Sequence, residues 1–244
     1  MELRSTQSEL FMRKASDLLE QMPAVYCGLM RRRLGQKKAR NLVAARETDI
    51  AIEGFQRCAN SFAVQAFRSV NETSEKLRIA THLHSSANIY QSIRYNVPTM
   101  VLIRDPEECI VSWIALAMQL GKLQGESLSE QNQMRRMCYW TQRYTQFYQR
   151  LMKIRSEFVS VDFTEVVADF GICIDRLNAR FGTAFNRFEH TAESEQAIFN
   201  KSKVHLSPSV DREQIKQQVN GYYFSENNSA NRVLAQATYE RFRG

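Results

Sequence analysis

Asp49-Ile50-Ala51-Ile52-Glu53-Gly54-Phe55-Gln56-Arg57-Cys58-Ala59-Asn60-Ser61-Phe62 runs from a short apolar stretch into a loop of small and polar residues. Asp49 to Phe55 reads as a strand, and apolar periodicity from Ser61 to Val70 reads as a helix. The same order recurs twice: Leu77 to Leu83 precedes a helix from Ser86 to Tyr95, and Thr99 to Arg104 precedes one from Glu107 to about Leu120. Asp105-Pro106 starts that last helix, because proline tolerates the first helical position. A longer helix is expected over Ser129 to Ser156, then a fourth strand over Phe158 to Phe163 and a helix through Phe181. Short apolar strands alternating with helices imply an α/β fold, with a parallel sheet covered on both faces in three α/β/α layers. Right-handed crossovers then gather the strand C-terminal ends on one edge, where ligands of such sheets bind.

Outward from this core, residues 8–30 carry Phe11, Ala15, Leu18, Met22 and Tyr26 at helical spacing, with Pro23 kinking or restarting the helix. From Glu189 the chain reads as polar loops around Pro208 and Gly221, with helical pattern resuming near Ser229. The 244 residues suit a single domain over 1–244, with a basic helical segment at 1–46, a core at 49–182 and C-terminal loops and a helix at 189–244. Hydrophobic residues make up 43% and charged ones 24%, so the composition is that of a globular chain. The apolar run Ile110 to Leu120 is too short to span a bilayer. The N-terminus lacks the pattern of a secretory signal. Five scattered cysteines, none in a CxxC pair, argue against a disulfide framework or zinc site and favour a reducing cytoplasm.

Of the net charge of +7, most lies at the start of the chain, where residues 1–46 carry ten Lys or Arg against four Asp or Glu. Arg31-Arg32-Arg33 and Lys37-Lys38 form either a solvated helix face or a contact surface for an anionic acceptor, a membrane surface or RNA. No aromatic residues interleave with these charges as single-strand binding requires, so no nucleic-acid partner is expected.

Gly54 to Phe62 is a strand-to-helix loop, either a plain connection or a cradle that aims backbone N–H groups and a helix N-terminus at an anion. Arg57 would add a forked cation and Ser61 a hydroxyl. The Gly-Lys pair of the ATPase loop is absent. Arg104 stands at the next strand end, and Ser112 lies two turns into the following helix; these residues either serve a ligand, or pair with Asp105 and fill a buried face.

Taken together, the two segments resemble the sulfotransferases that use 3′-phosphoadenosine 5′-phosphosulfate. Arg57, Cys58, Ala59, Asn60, Ser61 and Phe62 look like that family's first loop, which grips the 5′-phosphosulfate. Arg104, Asp105, Pro106 and Ser112 look like its second element, which grips the 3′-phosphate. Thr81-His82 is similar to the segment that supplies its base. The resemblance covers about residues 49–182 and implies a P-loop NTPase-like sulfotransferase fold and the activated sulfate as donor, leaving the desulfated nucleotide as product, with no metal. It implies donor-side work for Arg57 and base catalysis for His82, whose other reading is a structural histidine. Glu53 is a fallback base or a structural partner. Departures are Arg57 and Ala80 where Lys is common, Cys58 and Ala59 for Ser or Gly, and Ser160 for a Tyr. The Arg-Lys-Gly stretch is missing, with Lys201 and Lys203 its nearest substitutes. The acceptor, a small molecule or carbohydrate, is expected to meet loops within 84–97, 119–135 and 189–228. An ATP-dependent phosphotransferase, with Asp162 holding magnesium, and a non-catalytic nucleotide binder are the alternatives. Oligomeric state is not fixed, and the basic N-terminus leaves peripheral membrane contact open.

Overall fold

The computed structural model describes residues 16–71, 77–121, 129–201 and 210–244. The expected helical positions Phe11 and Ala15 lie outside them, as does Lys203. The described strands are β1 (Ile50–Gly54), β2 (Ile79–Ala80), β3 (Thr99–Ile103) and β4 (Val159–Asp162). They form one parallel sheet in the order β2-β1-β3-β4. All five residues of β1 and all five of β3 are buried, the pattern of strands covered on both faces.

The described helices are α1 (Pro23–Ala39), α2 (Asn60–Asn71), α3 (Ser86–Arg94), α4 (Pro106–Gln119), α5 (Glu130–Met152), α6 (Phe163–Phe181), α7 (Ala192–Lys201), α8 (Val210–Tyr223) and α9 (Ser229–Arg243). Pro23 restarts the chain as α1, and Asp105 caps α4 by accepting from the Glu108 N–H at 3.2 Å. α2 packs on α6 and α7; α1 packs on α3, α3 on α5, and α5 on α9. Among the described residues, no helix is long and apolar enough to cross a membrane.

Two expectations are corrected. The second strand ends at Ala80 rather than Leu83, because His82 and His84 take φ values of 58° and 50°, which leave the extended region. Of the region expected as loops around Pro208 and Gly221, Pro208 lies outside the described residues, while Ala192–Lys201 and Val210–Tyr223 are helices, with Gly221 inside the latter.

β1 goes on to β2 on one side and β3 to β4 on the other, so the chain reverses its direction across the sheet between β1 and β3. Such a switch point opens a crevice at the strand C-terminal ends. Gly54 closes β1 there. A Cβ at this position would stand 2.5 Å from the Leu102 carbonyl oxygen of β3. Because both are backbone in a buried ladder, Gly54→Ala is expected to cost about 1–3 kcal/mol. Urea denaturation checks this, and a wild-type midpoint would show that the strands can part without penalty.

Candidate functional site

Between β1 and α2, Arg57 and Ala59 adopt φ values of 67° and 65°. With His82 and His84, they are four of the five non-glycine positive-φ residues among those described, and all four line one cleft. Strained backbone concentrated at one place marks a site held in shape by its surroundings. Two helices supply that hold. From α5, the Tyr148 hydroxyl donates to Leu102 O (2.8 Å) and meets the Phe55 N–H (3.3 Å), while the Tyr144 hydroxyl donates to Arg104 O (2.7 Å). From α3, Asn88 Nδ2 donates to Glu53 Oε1 at 2.9 Å. That carboxylate also accepts from the Leu83 and His84 N–H groups at 3.0 and 3.3 Å, pinning the second strained loop to β1. Glu53 is therefore the structural partner and not a base facing the cleft. Burial raises its carboxyl from 4.5 to about 7, against the pull of those donors.

The cleft has a volume of about 470 Å³ and lies over the β1–β3 switch point. Of the residues expected from sequence, it gathers Arg57, Ala59, Asn60, Ser61, Phe62, His82, Arg104 and Ser112. Arg57 Nε donates to Ser112 Oγ at 3.0 Å, and Arg104 Nη1 donates to the Arg57 carbonyl at 3.2 Å. The first loop and the second element thus meet directly. Arg104 is fixed in plane by stacking over Phe163, 4.0 Å from the ring centroid, and by an ion pair with Glu108 at 2.9 Å. Asn60 Nδ2 closes the loop on Phe55 O at 2.9 Å. Asn60, Ser61 and Phe62 open α2, so their first-turn N–H groups have no acceptor within the helix.

Not every expected residue reaches the cleft. Cys58 turns its side chain into the core, with Sγ 3.6 Å from Cys109 Sγ and 3.4 Å from the Tyr148 hydroxyl. It can serve a ligand only through its backbone. Lys201 ends α7, and Lys203 lies outside the described residues. Asp162, the candidate magnesium holder, caps α6 instead. It accepts from the Thr164 N–H at 2.8 Å, the Thr164 hydroxyl at 2.6 Å and the Tyr239 hydroxyl at 2.7 Å.

Sequence reasoning missed the C-terminal side of the cleft. α8 brings Arg212, Glu213 and Lys216, and α7 brings Glu195 and Phe199. Arg212 is buried and donates from Nε to Gln119 Oε1 at 2.8 Å, while Lys216 pairs with Glu213 at 2.7 Å. The pressure on Arg57 reports this crowding. Burial first, then the charges of Arg212 and Arg104, push its guanidinium down from 12.5 to about 10. Three guanidiniums held near one another give the cleft a cationic lining suited to an anion.

Two histidines face the same space. His82 is exposed, with Nδ1 3.0 Å from the Thr81 hydroxyl and Nε2 3.2 Å from the Ser61 hydroxyl. His84 donates from Nδ1 to Gly54 O at 2.8 Å, so its Nε2 is the acceptor of a neutral ring. Burial chiefly holds it down at about 4. Phe62, Trp113, Leu116, Phe163, Val167 and Phe199 supply apolar lining. The arrangement can hold an anion against arginines and helix N–H groups, with an apolar surface beside it for a ring.

No family model, curated protein or solved structure matches this chain.

Proposed function

We propose that this chain is a sulfotransferase that takes 3′-phosphoadenosine 5′-phosphosulfate in the cleft above β1 and β3 and passes its sulfuryl group to a hydroxyl or amine. The observation that carries this reading is the meeting of Arg57, Arg104, Ser112 and the α2 N-terminus in a single cleft at the sheet's switch point. These are the two segments whose residue types resemble that family, and they meet on the sheet edge where the alternating pattern gathers the strand ends. The parallel sheet with its helices also suits the three-layer, P-loop NTPase-like sulfotransferase fold. On this reading the loop from Gly54 to Phe62 takes the reacting 5′ side, while Arg104 and Ser112 take the 3′-phosphate.

The bond from sulfur to the 5′-phosphate oxygen breaks as the acceptor's oxygen or nitrogen joins sulfur, and the acceptor proton must leave. His82 is the candidate to receive it, because an imidazole titrates near working pH and hydroxyls orient both of its nitrogens. Arg57 neutralises charge on the departing phosphate. Arg212 supplies a cation that the loop's departure from the family pattern at Ala80 would otherwise leave missing. The phosphotransferase alternative would need Asp162 for magnesium, and that carboxylate accepts from Thr164 and Tyr239.

Calorimetry with 3′-phosphoadenosine 5′-phosphate, beside ATP, tests the proposal. The desulfated nucleotide should bind more tightly than ATP, and Arg104→Ala should weaken it about 10- to 100-fold, the range for losing a charge-assisted hydrogen bond. Wild-type affinity in that variant would remove Arg104 from the site. Tight binding without consumption of the sulfated donor would make the chain a nucleotide binder instead of an enzyme.

A further inference from the structure

The N-terminal segment has two faces. Tyr26 and Cys27 are buried with Val43 and Ala87, and Leu19, Met30 and Leu34 pack on the same cluster. The other face holds Leu18, Met22, Val25 and Leu29, which remain 65%, 50%, 48% and 49% exposed. From Val25 this row continues one and two turns on through Leu29 to Arg32 and Arg33, both exposed. Lys37, Lys38 and Arg40, also exposed, follow a break in the helix at Gly35, whose φ is 72°. Between Gln21 and Arg46 there is no acidic residue. Arg31 is tied to the Ala44 carbonyl and Arg46 lies over the Tyr95 ring at 5.5 Å, so the outward cations are the other five.

We propose that this face docks on an anionic lipid surface. Aliphatic side chains next to a run of exposed cations are what an interfacial helix offers a bilayer: the apolar row enters the headgroup boundary while the cations meet acidic lipids. Charge decides against a second copy, and the aliphatic row against RNA. A second copy would bring a like-charged run to this one, and RNA would leave the aliphatic row with nothing to stack on. The face shares no residue with the cleft, so the docking stands apart from the proposed sulfuryl transfer.

Co-sedimentation of the full chain with phosphatidylcholine vesicles, with and without phosphatidylserine, tests it. Binding should need phosphatidylserine and fall as salt rises. Arg32→Glu with Arg33→Glu should lower partitioning about tenfold or more. Val25→Gln with Leu29→Gln should also weaken it; both side chains are exposed, so folding is not at stake, and unchanged circular dichroism confirms this. Equal binding to the neutral vesicles, or none to either, overturns the proposal. So does a dimer in sedimentation velocity that Val25→Gln with Leu29→Gln dissolves, which would give the face to a second copy.

Discussion

On the proposed sulfuryl transfer, Arg57→Ala is expected to lower turnover by on the order of 10²–10³, the usual loss for one stabiliser of a developing anion, and at the same time to raise the stability of the protein. The two effects have one cause. The Arg57 guanidinium is held below its ordinary range by burial and by Arg212 and Arg104. Its drop from 12.5 to about 10 is on the order of 3 kcal/mol of disfavoured charge. Removal also forfeits the hydrogen bond to Ser112, about 1 kcal/mol, and the other contacts of Arg57, so the net gain stays below about 2 kcal/mol. The Arg104 contact to residue 57 is to the backbone carbonyl and survives the substitution. Nucleotide affinity at Arg104 should therefore persist while the rate collapses.

Thermal denaturation and steady-state rates on the same variant separate the readings. A more stable, slower enzyme fits a cation placed for an anion at the expense of the empty fold. A less stable one makes Arg57 a strut between Ser112 and the β3 loop. Unchanged turnover removes it from the chemistry.

How far the sequence reaches can be read from these same residues. β1 and β3 are legible because strands buried on both faces are continuous apolar runs, and Asp105-Pro106 announces α4 by its chemistry. The cleft's first half follows, since Arg57 and Arg104 stand at predictable strand ends. Tyr144 and Tyr148 look like ordinary apolar positions of a long helix; nothing local says that their hydroxyls reach carbonyls 40 or 46 residues away. Arg212 is hidden for a related reason. Pro208 and Gly221 bracket it with turn residues, yet Gly221 sits inside α8, where packing against α4 and α5 outweighs its weak helix preference. His82 and His84 left the strand for a conformation that histidine seldom adopts, held there by Glu53 through the Leu83 and His84 N–H groups and by the His84 ring on the Gly54 carbonyl.

That junction gives the second large effect, two opposed contributions to stability that overlap in pH. Glu53 is raised from 4.5 to about 7, so the folded protein binds the extra proton and its contribution is full below pH 4.5 and lost as pH rises through 7. His84 is lowered from 6.5 to about 4, so its contribution is present above pH 6.5 and lost as pH falls through 4. Each is on the order of 3 kcal/mol, and between about pH 4.5 and 6.5 their slopes cancel. Single substitutions should unmask them. Glu53→Gln leaves His84 alone, and stability relative to wild type should climb by about 3 kcal/mol from pH 4.5 to 7. His84→Asn keeps an N–H for the Gly54 carbonyl and suits the left-handed backbone. Its stability relative to wild type should instead fall by a similar amount as pH rises from 4 to 6.5. Urea midpoints across this range decide it. Two variants that stay parallel to wild type would mean that neither group changes its proton affinity on folding, and that Glu53 holds the His82–His84 loop by geometry alone.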